Sequence, residues 1–554
     1  MERRSLLVLT MLALTIPVMA RADGPSASPG SSPPATSSRP GAESSAAPSD
    51  DAALVHLLSR ITFGPRPEDL ARARRLGGRT FLEEQLDPDR AGLQEATAAL
   101  RDLPTLTMSI PALLQAYPRP KAELLKRLAD GRMTPEAYQA LVPADHRPVR
   151  IVAEAQAARA LRALESPRQL EEVMVDFWLN HFNVYAGKAA VRWYVTAFER
   201  DVVRPRALGR FPDLLRETAR HPAMLFYLDN WLSTRADFVI AAGPRAGQTA
   251  GLNENYAREL LELHTLGVDG GYTQEDVREV ARAFTGWTID RPNENGRFIF
   301  RPRLHDRGPK VVLGRRITAS GQDEGEALLS LLAGHPATAR FIATKLVRRF
   351  VADDPNPALV DRVATVYRDT DGDIRAMLRT LLTAPEFQAA SVRAAKTKKP
   401  FEFVMSAARA VDARVDARGG YELARAATLI GEGLYGAQAP TGYPDRAEVW
   451  VNAGSLLARL NFAQALAHGR VPGVTVDIDG LVAGAARHVP AEVLEQLLGR
   501  VVLGGVSVET RAVLAAQLSD PRVTRLTTDD RVPADTDVAT LLALVLGSPE
   551  FQRR

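Results

Sequence analysis

The chain of 554 residues is 45% hydrophobic and 25% charged, an ordinary globular composition that excludes a chain disordered throughout. Its 70 basic and 66 acidic residues give a formal net charge of +4, and no run of Lys and Arg alternates with aromatic residues, so nucleic-acid binding has no support. The absence of cysteine excludes disulfides, thiolate metal ligands and a cysteine nucleophile.

Residues 1–22 have the pattern of a signal peptide. Arg3 and Arg4 precede the apolar run SLLVLTMLALTIPVM, and the small-residue pattern ARA at 20–22 resembles a cleavage site. The run, about 15 residues, is shorter than the roughly 20 that cross a bilayer, and no later segment offers a span. The sequence therefore predicts export to the periplasm or the extracellular space, by either the general secretory or the twin-arginine route.

Residues 23–50 are rich in Pro, Ser, Ala and Gly and contain no large apolar side chain, which predicts a disordered leader. We divide the globular body into a main helical domain, 51–395, which holds the candidate site, and a C-terminal helical subdomain, 396–554. The Gly- and Pro-rich stretch at 433–445, GLYGAQAPTGYPD, interrupts the helices and indicates a loop or a subdomain boundary.

An amphipathic helix is predicted over 167–182. Ser166 and Gln169 match a capping box, and Pro167 suits the first turn. Apolar residues then recur at helical spacing and end in a histidine. This inward stripe consists of Leu170, Val173, Met174, Phe177 and His181.

A second helix is predicted between Asn253, as the cap, and Gly267. Its inward stripe consists of Ala257, Leu260, Leu261 and His264. Charged residues spaced by four occupy another side and predict surface ion pairs. They are Glu254, Arg258 and Glu262.

The next segments complete the predicted fold. Thr273 and Asp276 form a capping box for a third helix. Between 296 and 318, β-branched and aromatic runs flank a polar Gly-Pro turn, which predicts a short hairpin with His305 and Asp306 near its loop. We predict a mostly α, multi-helical globular body with this short β-hairpin.

Two helices that each direct a histidine inward raise the question of a shared polar site. One inward histidine is usually a hydrogen-bonded core residue, but two histidines, with acidic neighbours available, favour a site. The candidate catalytic residues are Glu259, His264, His305 and Asp306, and the candidate metal ligands are His181, His264 and Glu259. Imidazole and carboxylate suit a divalent Zn, Fe or Mn ion, although this spacing matches no metal motif.

Tryptophans in the same region suggest a ligand pocket or core filling, and the sequence does not separate these two alternatives. They are Trp178, Trp231 and Trp287. Lys345 lies at the edge of an apolar stripe, where we expect its stem to pack and its amine to reach water, without a functional role.

Six segments together resemble an exported bacterial family called domain of unknown function 1800. They are HLLSRITFGPRPEDL, FWLNHFNV, HPAMLFYLDNWLS, NENYARELLELHTLGVDGGYTQEDV, ARAFTGW and HDRGPKVVLG. The resemblance runs from about residue 54 to the final SPEFQ, which is essentially the whole globular body.

The resemblance implies an exported protein whose gene often lies beside that of a sulfatase-like exported protein, domain of unknown function 1501, which becomes a candidate partner. It also places several polar residues in the family's motifs: His181, Asn183, Asn230, Glu254, Glu259, Glu262, His264, His305 and Asp306. Among these, Asn183 and Asn230 join the three tryptophans in the predicted substrate pocket.

Three functional hypotheses follow. The first is a hydrolase, metal-assisted or acid/base in type, that acts on an extracytoplasmic polymer or glycan. The second is a non-enzymatic scaffold or accessory partner of the sulfatase-like protein, in which the polar residues form buried networks that fix helix packing. The third is a glycan-binding protein without turnover, in which the tryptophans contact the sugar.

Overall fold

A computed structural model describes residues 50–94, 98–119, 122–141, 146–240, 246–518 and 536–554. These residues belong to one compact unit, and the predicted division at residue 395 stays a prediction. The predicted signal peptide, and the predicted leader up to residue 49, lie outside the described residues.

Helices dominate the described chain, as the sequence predicts. The first α-helices are α1 (Asp50–Ile61), α2 (Pro67–Leu76), α3 (Gly78–Leu86), α4 (Ile110–Ala116), α5 (Ala122–Ala129), α6 (Pro135–Leu141), α7 (Val149–Glu165), α8 (Gln169–His181), α9 (Val195–Ala197), α10 (Phe211–Arg220), α11 (Pro222–Tyr227), α12 (Asn255–Glu259) and α13 (Gln274–Ala283). The others are α14 (Gln322–Ala333), α15 (Pro336–Phe350), α16 (Pro357–Asp369), α17 (Ile374–Leu382), α18 (Pro385–Gln388), α19 (Pro400–Ala410), α20 (Ala417–Ile430), α21 (Ala447–Trp450), α22 (Ala453–Ala467), α23 (Ile478–Leu481), α24 (Pro490–Val501), α25 (Val508–Gln517) and α26 (Val538–Leu546).

Short helical turns of other types connect these helices. The 3₁₀ turns are Ala98–Asp102, Pro104–Leu106, Ala189–Trp193, Arg204–Arg206, Asn230–Leu232 and Ala390–Val392. The π-helical segments are Phe198–Val203 and Leu260–Thr265. None of the described helices is both long and apolar enough to span a membrane.

The strands form antiparallel pairs of two. They are β1 (Trp287–Asp290) with β2 (Arg297–Phe300), β3 (Lys310–Val312) with β4 (Arg315–Ile317), and β5 (Arg414–Val415) with β6 (Val474–Thr475). The predicted fold class, mostly α with a short hairpin near 296–318, is confirmed. One detail is wrong, because β2 pairs back with β1, and His305 and Asp306 therefore lie between two hairpins rather than near the loop of one.

The two capping boxes have different outcomes. Thr273 and Asp276 bond reciprocally at the start of α13, as predicted, with distances of 3.2 and 2.8 Å. The box predicted from Ser166 and Gln169 is wrong, because Arg168 is the N-cap of α8. The Gln169 side chain instead accepts the amide of Phe63 at 3.0 Å, since that buried donor has no helical partner.

The predicted helix between Asn253 and Gly267 consists of α12 followed by the π-helical segment 260–265. Its predicted inward stripe is confirmed, because Ala257, Leu260, Leu261 and His264 are all buried. On the other side Arg258 pairs with Glu254 at 3.5 Å, whereas Glu262 contacts the hydroxyl of Tyr272 instead.

Helices α7 and α8 pass through one continuous apolar core. Helix α7 packs against α19 and α20, α15 against α16, and α22 against α26. Helix α8 is buried on all sides, so that Asp176 and Trp178 are enclosed together with the predicted stripe. Arg409 of α19 joins distant parts of this core, since its guanidinium donates to the carbonyl of Gly64 at 2.6 Å and to Asp69 at 2.7 Å.

Candidate functional site

The two inward histidines meet. His181 is the last residue of α8 and His264 lies in the π-helical segment, and the centroids of their rings are 6.2 Å apart. Nε2 of His181 donates to the carbonyl oxygen of His264 at 3.2 Å. Both side chains are 2% exposed. The sequence therefore placed these two residues together correctly, on helices separated by about eighty positions.

Lys345 of α15 completes this group. Its Nζ donates to Nδ1 of His181 at 2.9 Å, which leaves His181 as a neutral ring protonated on Nε2. Burial, with the neighbouring Arg348, lowers the pKa of Lys345 to about 8. Burial, with Lys345, lowers the pKa of His264 to about 3 and that of His181 well below its ordinary value. An amine that titrates near neutral pH thus faces a neutral imidazole.

Lys345 is half-buried, and its amine contacts His181 at the cavity instead of lying free in water. Lys345 lies three residues after Ile342 and four before Arg349, and both of those side chains are buried. The spacing of Lys345 from these two residues indicates an inward position, but a lysine near an apolar stripe is more often a surface residue. The contact with His181 joins positions 164 residues apart, which no local pattern reveals.

Lys345 and His181 line a cavity of about 160 Å³. Its wall consists of Asp176, Phe177, Asn180, His181, Lys345, Arg348, Arg349, Lys399, Thr441, Tyr443, Pro444 and Asp445. Four of these side chains are cationic and two are anionic. The cavity therefore carries an excess of positive charge, which favours an anionic guest.

The two acidic side chains of the cavity are already paired with cations other than Lys345. Burial alone would raise the pKa of Asp176, but Lys399 and Arg159 hold it below its ordinary value. Asp176 accepts from Arg159 and lies 3.3 Å from Nζ of Lys399. Asp445 pairs with Lys396 at 2.9 Å. Neither acid is thus a free counter-ion for Lys345.

Arg349 offers donors that are not satisfied. Its Nη1 pairs with Glu402, but its buried Nε and Nη2 have no hydrogen-bond partner among the described residues. Buried guanidinium donors are costly to leave unpaired. Arg349 lines the cavity, so an oxyanion bound there would supply the missing acceptor.

A loop that contains Thr441 to Asp445 forms one wall of the cavity, and Asn180 fixes it. The Asn180 side chain accepts the amide of Tyr443 at 2.7 Å and donates to the carbonyl of Tyr443 at 2.8 Å. Gly442 lies against the same asparagine, with φ at +67°, and an added Cβ would be 2.4 Å from the carbonyl oxygen of Asn180. The loop therefore requires glycine at this position.

We expect Gly442→Ala to lower the free energy of unfolding by about 1–3 kcal/mol, because alanine is strained at positive φ and collides with backbone. Urea unfolding followed by circular dichroism measures the change. Gly499→Ala is the matched control: an added Cβ in α24 meets no atom within 4 Å, and alanine there is expected to be neutral or stabilising. Equal losses in both variants would contradict the close approach at Gly442.

The other predicted catalytic residues occupy a separate group. Nδ1 of His305 donates to the carbonyl oxygen of Thr285 at 2.8 Å, and Nε2 of His305 lies 3.4 Å from the carboxylate of Glu324. Asp306 forms a bidentate pair with Arg282 at 2.9 and 3.0 Å. No hydrogen bond or ring contact in the described chain joins these residues to His181 or His264.

Glu259 does not line the cavity. It is half-buried, and burial, with Glu262 nearby, raises its pKa. Within the described residues, no group of three or more His, Asp or Glu side chains is arranged to hold a metal ion. The metal set predicted from His181, His264 and Glu259 stays a prediction.

Comparison with known proteins gives one result. The family model described as protein of unknown function DUF1800 matches residues 56–553. The chain belongs to the DUF1800 family. Neither the curated proteins nor the solved structures gave a match.

The two asparagines of the predicted pocket donate to backbone carbonyls. Nδ2 of Asn183 donates to the carbonyls of Ala437 and Ala439 at 3.0 and 2.9 Å, and so helps to position the chain that leads into the loop at 441–445. Nδ2 of Asn230 donates to Phe284 and Trp287 at 3.2 and 3.0 Å. Both asparagines are buried.

The three tryptophans of the predicted pocket lie outside the cavity at Lys345. Trp178 and Trp287 are 0% exposed, and Nε1 of Trp178 donates to the carbonyl of Ala207 at 3.0 Å. Trp231 is half-buried and stacks on Phe226 at 5.1 Å. None of the three lines the cavity at Lys345. The site that the structure offers is charged rather than aromatic.

Proposed function

We propose that the protein is an exported hydrolase of the acid/base type, which acts on an extracytoplasmic polymer or glycan that carries acidic groups. The observation that supports this is the contact between Lys345 and His181 in a cationic cavity. A proton donor is most effective when its pKa lies near the working pH, and the pKa of Lys345, about 8, meets this condition.

The chemistry assigns a role to each group. Lys345 in its ammonium form donates a proton to the departing oxygen while water attacks the scissile bond, and the water then returns a proton to the amine. His181, held by the carbonyl of His264, orients the amine. The free donors of Arg349 bind the anionic part of the substrate, as preorganised electrostatic stabilisation requires.

The size of the cavity restricts what enters it. Pockets that enclose a whole small ligand usually measure about 300–1,000 Å³. A volume of about 160 Å³ suits a single acidic substituent, such as a carboxylate or a sulfate ester, with the remainder of the polymer outside. The proposed substrate class is therefore an acidic rather than a neutral glycan.

The test measures release of reducing ends from heparin, alginate and polygalacturonate, with dextran as the neutral comparison. We expect the wild type to cleave at least one acidic polymer. The rate of cleavage should be about hundredfold lower in Lys345→Met, because this variant has no proton donor at position 345. The rate of the wild type should fall above pH 8 as Lys345 loses its proton. Lys126→Met, on an exposed lysine of α5, is the matched control and should keep full activity.

Unchanged turnover in Lys345→Met would remove Lys345 from the mechanism. Lys345→Arg separates charge from proton transfer: arginine keeps the positive charge but does not release its proton, so KM should stay near the wild-type value while kcat falls. A purely structural lysine would not produce this split.

One observation favours the second hypothesis, a non-enzymatic accessory protein. Helix α22 and its neighbours present a group of exposed apolar side chains: Leu429, Val449, Val451, Leu456, Leu457 and Leu460. Such a group is typical of a protein-binding surface. If the protein co-purifies with the sulfatase-like exported protein and cleaves none of the acidic polymers, the accessory function replaces the hydrolase as the proposed function.

A further inference from the structure

A second and larger cavity lies apart from Lys345. It measures about 700 Å³ and is formed mainly by α1, the segment 62–65, α19, the segment 501–507 and the segment 550–554. Most of its wall is apolar and includes Ala52, Val55, Phe63, Leu70, Val502 and Phe551. This volume lies in the range of pockets that enclose a small ligand.

Lys398 is a cation of this wall that has no counter-ion of its own. Lys398 is 7% exposed, and its amine has neither a hydrogen-bond acceptor nor a carboxylate partner among the described residues. It lies over the ring of Phe551, with Nζ 3.8 Å from the centroid. Its nearest acid, Glu402, is already shared by Arg349 and Arg554. Burial, with Arg459 and Arg554 nearby, accordingly lowers the pKa of Lys398 to about 7. The negative charge of Glu402 raises this pKa, but by less than burial lowers it.

A second polar atom in the same cavity is also unsatisfied. His56 is 4% exposed, and its Nε2 donates to the carbonyl of Phe387 at 2.9 Å. Its Nδ1 is then an acceptor, and it has no partner in the described part of the chain. The cavity thus offers a free cation and a free acceptor between apolar walls, beside further buried polar atoms without a hydrogen-bond partner on Arg393, Glu550 and Arg554.

We propose that this cavity binds an amphipathic molecule with one acidic head, whose anion pairs with Lys398 and whose apolar tail packs along Val55, Phe63 and Val502. The anion supplies the counter-ion that Lys398 lacks, and the tail removes apolar wall from water. Carboxylate and phosphate heads share this chemistry. A neutral molecule with the same tail would leave the cation unpaired and bind more weakly.

Equilibrium binding to the mature protein tests the proposal with decanoate, decyl phosphate and decanol as probes. We expect saturable binding of one molecule of an acidic probe per chain, at least tenfold tighter than decanol. Comparison of decanoate with decyl phosphate identifies the preferred head. Lys398→Met should lose this tenfold preference and keep the affinity for decanol, whereas Lys126→Met, on an exposed lysine, should behave as the wild type.

A second variant separates the cavity from the outer surface. Val506 is half-buried in the wall, and Val506→Trp should fill the space and weaken the acidic probes and decanol together. Calorimetry in buffers of different ionisation enthalpy adds an independent readout. At pH 8.5 the bound anion should draw about one proton onto Lys398, and Lys398→Met should abolish this uptake.

The proposal is overturned if decanol binds as tightly as both acidic probes, if Lys398→Met retains the preference for an acidic head, or if no probe saturates. Binding that survives Val506→Trp would locate the probes on the surface and would equally overturn it. None of these outcomes depends on Lys345 or on turnover, so the test is independent of the proposed hydrolase activity.

Discussion

Replacement of Glu402 by glutamine is expected to lower the free energy of unfolding by about 3–5 kcal/mol at pH 7. Glu402 is 3% exposed and accepts from Arg349, with Nη1 of Arg554 at 3.2 Å and the amide of Lys399 at 2.9 Å. Glutamine has the same shape but no charge. Two buried guanidinium groups would then lose their shared counter-ion, which is the costly way to break a buried ion pair.

The pH dependence of this loss has a definite sign. Burial would raise the pKa of Glu402, but Arg349, Arg554 and Lys399 hold it far below its ordinary value. A carboxyl whose pKa is depressed on folding stabilises the folded chain above its unfolded pKa, about 4.3, and this contribution falls as pH decreases below that value. The difference between wild type and Glu402→Gln should therefore be largest at pH 7 and smaller at pH 3.

Urea unfolding at both pH values measures the difference, and an exposed pair is the matched control. Glu83 forms two 2.7 Å bonds with Arg379, and the two side chains are 42% and 45% exposed. Glu83→Gln should cost less than about 1 kcal/mol, because solvent screens a surface pair. A loss in Glu402→Gln no larger than that would show that Arg349 and Arg554 are well solvated.

Replacement of Lys398 by methionine is expected to stabilise the protein by about 2–4 kcal/mol at pH 6. The pKa of Lys398 falls from its ordinary value of 10.5 to about 7, and each unit corresponds to about 1.4 kcal/mol of preference for the neutral amine. Loss of the contact with the ring of Phe551 offsets about 1 kcal/mol of this gain. Methionine has a similar shape and suits the apolar wall.

The gain should depend on pH in a specific window. Below pH 7 the folded wild type carries the buried charge, so the variant has its full advantage. Between about 7 and 10.5 the unfolded wild type binds more protons than the folded one, and the stability of the wild type rises with pH. The two proteins should therefore converge near pH 10.

Thermal unfolding of wild type, Lys398→Met and Lys126→Met between pH 6 and 10 measures this convergence. Lys126 is exposed, so its replacement should change stability little at any pH. A constant gain from pH 6 to pH 10 in Lys398→Met would assign the effect to packing rather than to the buried charge.

Periodicity predicted the framework of the candidate site. The inward stripes of α8 and of the segment 255–265 placed His181 and His264 in the core, and the structure brings their rings together. The sequence predicted that α8 buries one stripe, which is too narrow, because this helix lies at the centre of the body and is buried on all sides. A helical stripe identifies a buried face, but it does not show whether the opposite face is solvent or other helices.

The rest of the site is formed by contacts between residues far apart in the sequence, and these contacts could not be predicted. A lysine at the edge of an apolar stripe is more often a surface residue, and only the contact with His181, 164 positions away, makes Lys345 a candidate proton donor. Asp176 and Lys399 are paired across 223 positions. The strand at 297–300 has the composition of a hairpin strand, but its sequence does not identify β1 as its partner.

The bond from Arg409 to the carbonyl of Gly64 has a consequence for how the chain folds. It joins positions 345 residues apart, and the same guanidinium also closes on Asp69. Non-local contacts of this kind slow folding, because the chain loses conformational entropy on closing the loop before the contacts stabilise it. The segment from Gly64 to Asp69 therefore reaches this partner only after α19 has been synthesised, and until then the apolar residues beside the segment stay exposed. A chaperone that covers these residues in the unfinished chain would therefore favour correct folding.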